Sequence, residues 1–447
     1  MTPRVAALTA AVIIHAVLVT SVVLQPLGAG SRPMPERFLG ARLFHDSTRM
    51  NGPGIDFFAL YHAGFNASTG VSIYRPLELS TGRTPYYFAY RYLPIAARTL
   101  GRVVCLLPPL AAYRLWILLI EALLWVVLLT AFRQLLSSGP GLVGWIALVV
   151  STPYVLELHM GQFTFAAAGL LAIGVWALER SDHTTSPWRL RAGAVAAIAA
   201  ASLLKIFPAV SLMACLRRRR WWGVAASTLA VIAALTVPLF LARPDDWFNF
   251  LDENRVAEPG PGNFGLQYAL FLTIQLFGVP WSGALWSGLV IVGLVVLVGL
   301  ALVVVLCCRR QSFQAEVGVL LLAQALASYQ VWEHHMTGVM IAGGMVLGAM
   351  LVPAGTDQDR SARPRVPASA WIVAASLALI ALPTPYALFD PAPRFWTSAQ
   401  RMSIQWAKPV PTLIIYACGL AWLLRDGVAV PPWLRRWLPS RVARTIT

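Results

Sequence analysis

Charge is scarce in this 447-residue sequence. Only 12% of the residues are charged, whereas an ordinary soluble domain carries about 25%. So low a share excludes a soluble globular protein, a disordered chain and a coiled coil, which all need polar surface. Hydrophobic residues make up 58% of the sequence instead, and this indicates a polytopic membrane protein.

Lysine is almost absent. The only lysines are Lys205 and Lys408, so arginine supplies nearly all of the positive charge behind the net +16. In a membrane protein, this basic excess predicts cytoplasmic anchoring and contact with anionic lipid head groups. Nucleic acid is not expected as a partner, because no polar segment is large enough to form a DNA-binding domain.

Cysteine is rare as well. The five cysteines include no CxxC pair, so the sequence predicts neither a disulfide framework nor a zinc site. The apolar run after Arg4 is too long for the core of a signal peptide. We interpret it as a retained first transmembrane helix.

Apolar stretches of membrane-spanning length recur along the chain. A spanning helix needs about 20 mostly apolar residues, and one further stretch, 89–107, is marginal because it contains three arginines. We predict an all-α polytopic membrane protein with 11 or 12 transmembrane helices. No internal repeat is visible, which argues against an inverted-repeat transporter. The strong stretches are 5–25, 111–132, 141–157, 163–178, 192–215, 221–242, 282–307, 313–331, 336–353, 369–389 and 408–424.

Arginine-rich links orient the chain, since short basic links face the cytoplasm. These links are 217–220, 309–310, 360–365 and 435–444. The segments that then face the outer side are 26–88, 243–281, 332–335 and 390–407. Most acids and histidines belong to this outer side or to helix ends beside it, so we expect extracytoplasmic chemistry at a bacterial plasma membrane.

The middle of the chain allows two threadings. In one, 89–107 crosses the membrane and 192–215 is a single span. In the other, 89–107 lies at the interface and 192–215 is a hairpin that turns near Lys205 and Pro208. A single span would hold Lys205 within the membrane, at a cost of roughly 2.5–3.5 kcal/mol.

The first outer loop, 26–88, is long enough to indicate function. Within it, apolar residues of 57–68 recur at helical spacing, which predicts an amphipathic helix at the interface. We expect one catalytic transmembrane domain over 1–425 and a basic cytoplasmic tail over 426–447.

The first three candidates are an acid, an amide and a tyrosine-rich stretch. Asp56 follows a Pro-Gly turn at the start of the predicted amphipathic helix. It is either a helix N-cap or a general base at the water–lipid boundary. Gln162, in His-Met-Gly-Gln-Phe, either caps a helix or bonds to a polar ligand. The tyrosine-rich stretch around Tyr90 is either an interfacial aromatic belt or a wall for a sugar.

Three further candidates are basic or polar. Lys205 interrupts an apolar run, where it either binds a phosphate or extends to the surface. His334 and His335 are adjacent, so they do not share a helix face and a zinc site is not expected. They bond to a phosphate or to a catalytic carboxylate, or form a plain interfacial turn. Asn263 is a candidate turn residue.

Taken together, these motifs resemble glycosyltransferase family 87, in the GT-C superfamily of membrane glycosyltransferases. The resemblance runs from about residue 5 to residue 350. It rests on the order Gly-x-Asp-Phe, a tyrosine-rich stretch before a proline, Gly-Gln, Lys-x-x-Pro and His-His. The family includes mannosyltransferases of phosphatidylinositol mannosides, to which the His-His pair is more similar, and cell-wall arabinofuranosyltransferases. Two departures are the stretch Tyr90-Arg91-Tyr92-Leu93-Pro94 in place of Tyr-Pro-Pro, and Phe163-Thr164 after Gln162, where Asn is frequent two residues after the glutamine.

The resemblance implies transfer of a sugar, mannose first, from a polyprenyl-phosphate donor to a lipid or glycan acceptor, with inversion and with Asp56 as general base. It implies that Lys205, one of the pair His334 and His335, and an arginine such as Arg75 or Arg91 neutralise the leaving phosphate. It further implies a sugar or acceptor site lined by Tyr61, Tyr90, Gln162 and Asn263. No cofactor is expected. Because Asp56 lacks a DxD partner, we also expect catalysis without a metal.

Other classes remain open from the sequence. Arabinofuranosyl transfer is the alternative within the family, and a transporter or flippase of lipid-linked sugar is the alternative outside it. Membrane lipids, the donor and the acceptor are the expected partners, and we expect a monomer.

Overall fold

The computed structural model describes residues 2–25, 53–75, 83–84, 87–255, 263–352, 366–384 and 398–429. Within these ranges the chain is helical and forms no β-strand. Much of the first outer loop, the basic link 360–365, part of the outer segment 390–407 and most of the predicted tail lie outside the described residues.

Most helices of the first group begin with proline or a capping residue, which suits a first helical turn. Thr2 caps the first helix by accepting the Val5 N–H, and Ser151 accepts the Tyr154 N–H where two helices adjoin. These helices are α1 (Pro3–Val23), α2 (Ile55–Thr69), α3 (Pro94–Ala96, a π-turn over Ala97–Gly101, and Arg102–Val104), α4 (Pro109–Leu129), α5 (Gly139–Val149), α6 (Thr152–Met160), α7 (Thr164–Ser181) and α8 (Pro187–Leu204).

The second group begins after a 3₁₀ turn at Phe207–Ser211. Ser282 and Ser312 cap two of its long apolar helices. The helices are α9 (Leu212–Cys215), α10 (Trp222–Ala242), α11 (Pro244–Glu253), α12 (Leu266–Leu276), α13 (Gly283–Cys307), α14 (Phe313–Ala327), α15 (Met336–Leu351), α16 (Ala368–Ala381), α17 (Ser398–Trp406) and α18 (Pro409–Leu424).

The apolar helices confirm the predicted fold class. Among the described residues, seven helical segments are long and apolar enough to cross a membrane, and three shorter apolar helices accompany them. Each of the strong stretches predicted from the sequence contains a helix at its position. Helix α7 packs along α8, and α14 packs along α15. Most residues of α7, α14 and α15 are buried, so these three helices form the interior of the bundle.

The structure decides between the two threadings of 192–215. Helix α8 ends at Leu204, and the ammonium of the next residue, Lys205, donates to Thr164, the first residue of α7. At the opposite end of α7, Asp182 pairs with Arg191 near the start of α8 and with Arg220 beyond α9. Both ends of 192–215 therefore lie at one end of the bundle and Lys205 lies at the other. The segment is a hairpin, and the single span is wrong.

The marginal stretch 89–107 does not cross the bundle. Its helix α3 contains 11 residues, from 94 to 104, and is about 16 Å long, whereas the hydrocarbon core is about 30 Å thick. It packs instead on α2, as the second threading predicts.

Helix α2 is the helix predicted in the outer loop. The structure adds that almost all its side chains are buried, because α3 and α4 cover it. Close approach to α3 depends on Gly64, where a Cβ atom would lie 2.1 Å from the carbonyl of Gly101. The helix is therefore enclosed by protein, and its N-terminus points an acid into the bundle.

Candidate active site

Asp56 lies in the first turn of α2. Gly54 precedes the helix with φ of 76°, a left-handed conformation that suits glycine, and its N–H donates to the carbonyl of His159 over 2.7 Å. Gly54 occupies the N-cap position, so the N-cap interpretation of Asp56 is wrong. The side chain of Asp56 is only 4% exposed, and it contacts other parts of the chain.

A second glycine brings Gln162 to Asp56. Gly161 ends α6 with φ of 65°, and a Cβ there would lie 2.5 Å from the Cβ of Phe57. Because no side chain fits, the turn packs directly on α2. Gln162 Nε2 then donates to Asp56 Oδ2 over 3.1 Å.

The orientation of the Gln162 amide follows from its other partners. Its Oε1 accepts the Tyr92 hydroxyl and the Phe163 N–H, each over 2.8 Å. Of the two polar atoms of a side-chain amide, only the oxygen can accept a hydrogen bond, so the amide nitrogen faces Asp56. The ring of Tyr92 also packs against that of Phe163, with 4.8 Å between centroids.

His334 lies on the other side of the same amide. Its Nε2 is 3.4 Å from Gln162 Nε2, and because that nitrogen is a donor, His334 Nε2 is the acceptor and Nδ1 carries the proton. His334 is 3% exposed. Its Nδ1 has no hydrogen-bond partner among the described residues, which leaves one buried donor for a ligand.

Lys205 borders a cavity next to this group. Its Nζ donates to Thr164 Oγ1 over 2.7 Å and lies 5.9 Å from the centroid of the Tyr92 ring. The cavity has a volume of about 140 Å³, and its lining includes Lys205, Thr164, Gln330 and His335. The rings of His334 and His335 lie edge to face with centroids 4.4 Å apart. His334 therefore faces the Gln162 amide, and His335 lines the lysine cavity.

Glu157 is a residue of this site that was not among the candidates predicted from the sequence. Its side chain is fully buried and accepts the Phe165 N–H over 2.7 Å and the Thr337 hydroxyl over 3.1 Å. It therefore joins the start of α7 to the start of α15. Its signal in the sequence was an acid within an apolar run, four residues before Gly161.

Burial changes the acidity of Asp56. Loss of hydration raises its pKa from 3.8 to about 6, although the positive charges of Lys205 and Arg91 act in the opposite direction. A carboxyl group with such a pKa is largely ionised at neutral pH and binds a proton more readily than an ordinary aspartate. Both properties suit a general base.

Tyr90 and Tyr61 have structural contacts away from Asp56. The Tyr90 hydroxyl donates to the Leu93 carbonyl and accepts the Ala97 N–H, which fixes the entry to α3. The Tyr61 hydroxyl donates to the Leu107 carbonyl. Tyr92, two residues beyond Tyr90, is the tyrosine that contacts Gln162.

The remaining predicted residues lie around the group rather than within it. The Arg91 guanidinium is 4.0 Å from Glu253 and is half-exposed, and Arg75 is exposed. Asn263 donates to the Tyr329 carbonyl and accepts the Val331 N–H, so it fixes the segment before the histidine turn. Within the described ranges, no group of three or more His, Cys, Asp or Glu side chains is arranged to hold a metal ion.

Comparison with known families decides the class. The model of glycosyltransferase family 87 matches residues 85–331, which is more than half of the chain. The chain belongs to glycosyltransferase family 87. The predicted family is confirmed, and the protein is a membrane glycosyltransferase. No curated protein sequence matches the chain.

Two solved structures resemble this member of family 87. They are ArnT from Cupriavidus metallidurans bound to undecaprenyl phosphate and the same protein in the apo state. The first is 15% identical, with a TM-score of 0.43, and the match covers 92% of this chain and 76% of that one. The second is 13% identical, with a TM-score of 0.42, and the match covers 94% and 77% of the two chains.

Both departures from the usual family 87 pattern lie at this site. Tyr92, in the stretch that lacks Tyr-Pro-Pro, bonds to Gln162. Thr164, where the pattern often has asparagine, accepts the bond from Lys205. The unusual residues therefore shape the immediate surroundings of the Gln162 amide and of the lysine cavity.

Proposed function

We propose that this protein transfers a sugar, mannose first, from a polyprenyl-phosphate donor to a lipid or glycan acceptor of the bacterial cell envelope. The observation that carries the proposal is the junction of Asp56, Gln162 and His334 beside the cavity of Lys205. A base and a cation thus lie close together, as sugar transfer from a phosphate requires. The undecaprenyl phosphate bound to ArnT is an example of a polyprenyl phosphate, the lipid part of such a donor.

Asp56 acts as the base. As the acceptor hydroxyl oxygen attacks the anomeric carbon, Asp56 takes the hydroxyl proton. The bond from the anomeric carbon to the phosphate oxygen breaks on the opposite face of the sugar, and its electron pair leaves with the lipid phosphate. One displacement of this kind inverts the anomeric configuration. Gln162 holds the carboxylate in place through its 3.1 Å bond.

Lys205 stabilises the leaving phosphate. A lipid phosphate is already a stable anion, so it needs charge neutralisation rather than a strong acid. The lysine ammonium supplies a point charge at the cavity, His335 lines the same cavity, and His334 offers its Nδ1 proton. Arg91 adds to the neutralisation of the phosphate from a greater distance. These groups supply the neutralisation that a metal provides in other enzymes, so we propose catalysis without one.

The reaction takes place on the extracytoplasmic face. Arg217 and Arg218 gather around Glu316 at the start of α14, whereas the lysine cavity includes Ala325 and Ser328 at the other end of that helix. Arginine-rich links favour the cytoplasm. The cavity then opens on the opposite side, where a polyprenyl donor presents its phosphate.

Reconstituted transfer tests the proposal. Proteoliposomes with radiolabelled polyprenyl-phosphate mannose and a bacterial lipid extract should form a labelled glycoside. Asp56→Asn should lower the rate by roughly 10²–10⁴-fold, and Asp252→Asn is the control because Asp252 is an exposed acid outside the site. Full activity in Asp56→Asn would refute the assignment of the base.

The same vesicles distinguish the alternatives. If a polyprenyl-phosphate arabinofuranose donor reacts and the mannose donor does not, the protein is an arabinofuranosyltransferase. Movement of the intact labelled donor across the bilayer, with no new glycosidic bond, would identify a flippase and overturn the proposal.

A further inference from the structure

A buried ion pair lies directly beside the histidine turn. Lys408 Nζ is 3.1 Å from Glu333 Oε1, and each side chain is 2% exposed. Lys408 is one of only two lysines in the chain, and Glu333 is the residue before His334. Lys408 therefore pairs with the first residue of the 3₁₀ turn Glu333–His335, which contains both candidate histidines.

Both charges of the pair have further partners. The Lys408 ammonium also donates to the Ile380 carbonyl over 2.8 Å and to the Leu382 carbonyl over 2.5 Å. Glu333 Oε1 also accepts the hydroxyl and the N–H of Thr384. All three ammonium donors thus have acceptors, as a stable buried cation requires. Such a network allows the turn little freedom.

The network reaches the turn from the last helices. Ile380 lies in α16, Thr384 follows that helix, and Lys408 precedes α18. All three residues lie beyond the 85–331 match to family 87. On its other side, the turn is held by Thr337, which donates to Glu157 and to the His334 carbonyl. The C-terminal helices therefore complete a clamp around the turn.

Stability alone is a poor reason for such a pair. Replacement of a buried ion pair by well-packed apolar residues is often neutral or stabilising, whereas loss of one partner is strongly destabilising. We propose that Glu333 and Lys408 are positioning residues, which fix the turn so that His334 meets Gln162 and His335 lines the Lys205 cavity. The proposal rests on the proposed function, since it assumes that both histidines act on the donor.

A matched control pair exists at the other end of the bundle. Arg218 Nη2 donates to Glu316 Oε1 over 2.8 Å, and the two side chains are 8% and 0% exposed. This pair is also buried and charged, but it lies at the start of α14, away from the lysine cavity. It reports what the loss of a buried pair does to the fold without disturbing the histidine turn.

The test uses the full-length protein in lipid nanodiscs and two measurements. The first is the rate at which diethylpyrocarbonate modifies His334, read by mass spectrometry of the peptide that contains it. In Lys408→Met this rate should rise about fivefold, as local opening becomes easier. The second is sugar transfer, whose kcat should fall about 10–100-fold because the reacting groups are displaced. Arg218→Met should change both by less than about twofold.

Two other variants keep the test decisive if Lys408→Met folds poorly. Thr384→Val removes one bond to Glu333 and keeps the ion pair, so we expect a smaller change in the same direction. The double variant Lys408→Met with Glu333→Leu should recover thermal stability relative to either single variant. If the pair positions the turn, this double variant nevertheless keeps rapid labelling of His334 and slow transfer.

Several outcomes would overturn the proposal. Labelling of His334 at the wild-type rate in Lys408→Met or in the double variant would show that the pair does not hold the turn. Wild-type kcat in the double variant would show that its role is stability alone. A different result separates the two proposals. If the wild-type protein has no transfer activity but His334 is labelled rapidly in Lys408→Met, the proposed function is refuted, whereas the ion pair still holds the turn.

Discussion

Gln162 donates its amide hydrogen to Asp56 across 3.1 Å, although 106 residues separate the two in sequence. The amide oxygen is held by the Tyr92 hydroxyl and the Phe163 N–H, so the amide has one orientation. The Asp56 carboxylate is in turn fixed at the start of α2. A base held in this way needs little reorganisation before it takes a proton.

The acidity of Asp56 predicts the pH dependence of transfer. Its folded pKa is raised to about 6, and only the ionised form accepts a proton. The value of kcat/KM should therefore rise as the pH rises through about 6 and then level off, when measured between about pH 5 and pH 8. A flat profile over this range would contradict the role of Asp56.

Removal of the neighbouring positive charge of Lys205 tests whether Asp56 is the group that titrates. Lys205 lowers the pKa of Asp56, because a cation favours the carboxylate. In Lys205→Met, the midpoint of the remaining activity should therefore move to higher pH. A shift to lower pH would show that another group titrates.

Loss of Lys205 should also weaken use of the donor. A hydrogen bond from a charged group contributes about 1.5–3 kcal/mol, so the KM for the lipid donor should rise about 10–100-fold in Lys205→Met. The KM for the acceptor should change little. Thr164→Val, which removes the 2.7 Å bond to Lys205 and keeps the charge, should have a weaker effect. Equal effects on donor and acceptor would show that Lys205 acts on the fold.

Two tyrosines near each other provide a matched comparison. Tyr92→Phe keeps the ring and removes the bond that fixes Gln162, so we expect kcat to fall about tenfold, which corresponds to about 1.4 kcal/mol. Tyr90→Phe removes bonds to Leu93 and Ala97 and should lower stability by about 1 kcal/mol with a smaller effect on kcat. Thermal unfolding and transfer kinetics separate the two. The reverse order would assign Tyr90 to the site.

Helix α2 should not tolerate a side chain at Gly64. An added Cβ would lie 2.1 Å from the Gly101 carbonyl, so Gly64→Ala must separate α2 from α3 at a cost of about 1–3 kcal/mol. Gly193→Ala is the control, because nothing lies within 4 Å of its Cβ. We expect that variant to be neutral or more stable by about 0.5–1 kcal/mol. Thermal unfolding in detergent measures both, and equal melting temperatures for Gly64→Ala and wild type would contradict this packing.

The helices of the membrane bundle could be predicted from the sequence because an apolar run of spanning length is a local signal. The region around Lys205 could not, since two threadings satisfied the same hydropathy. The pairs of Asp182 with Arg191 and Arg220 bring the two ends of the segment together, and the bond from Lys205 to Thr164 places its turn at the other end of the bundle. Similarly, the apolar spacing of 57–68 predicted a helix, but the burial of its other face depends on α3.

The site could be predicted in part. Asp56, Gln162, Lys205 and the histidine pair each had a local signal, and the structure brings them together. Glu157 was not chosen, because its role depends on Thr337, far away in the sequence. Tyr90 was preferred to Tyr92 because the sequence does not show which of two neighbouring tyrosines points towards Gln162.

The pair of Glu333 and Lys408 has a consequence for biosynthesis. At about 5–20 residues per second, the ribosome adds Lys408 several seconds after Glu333 and tens of seconds after Asp56. Until then, the Glu333 carboxylate has no cation to join it in the interior and must stay hydrated. Most of the bundle is therefore inserted while the histidine turn is still open, and the turn closes only after α16 and Lys408 have been added.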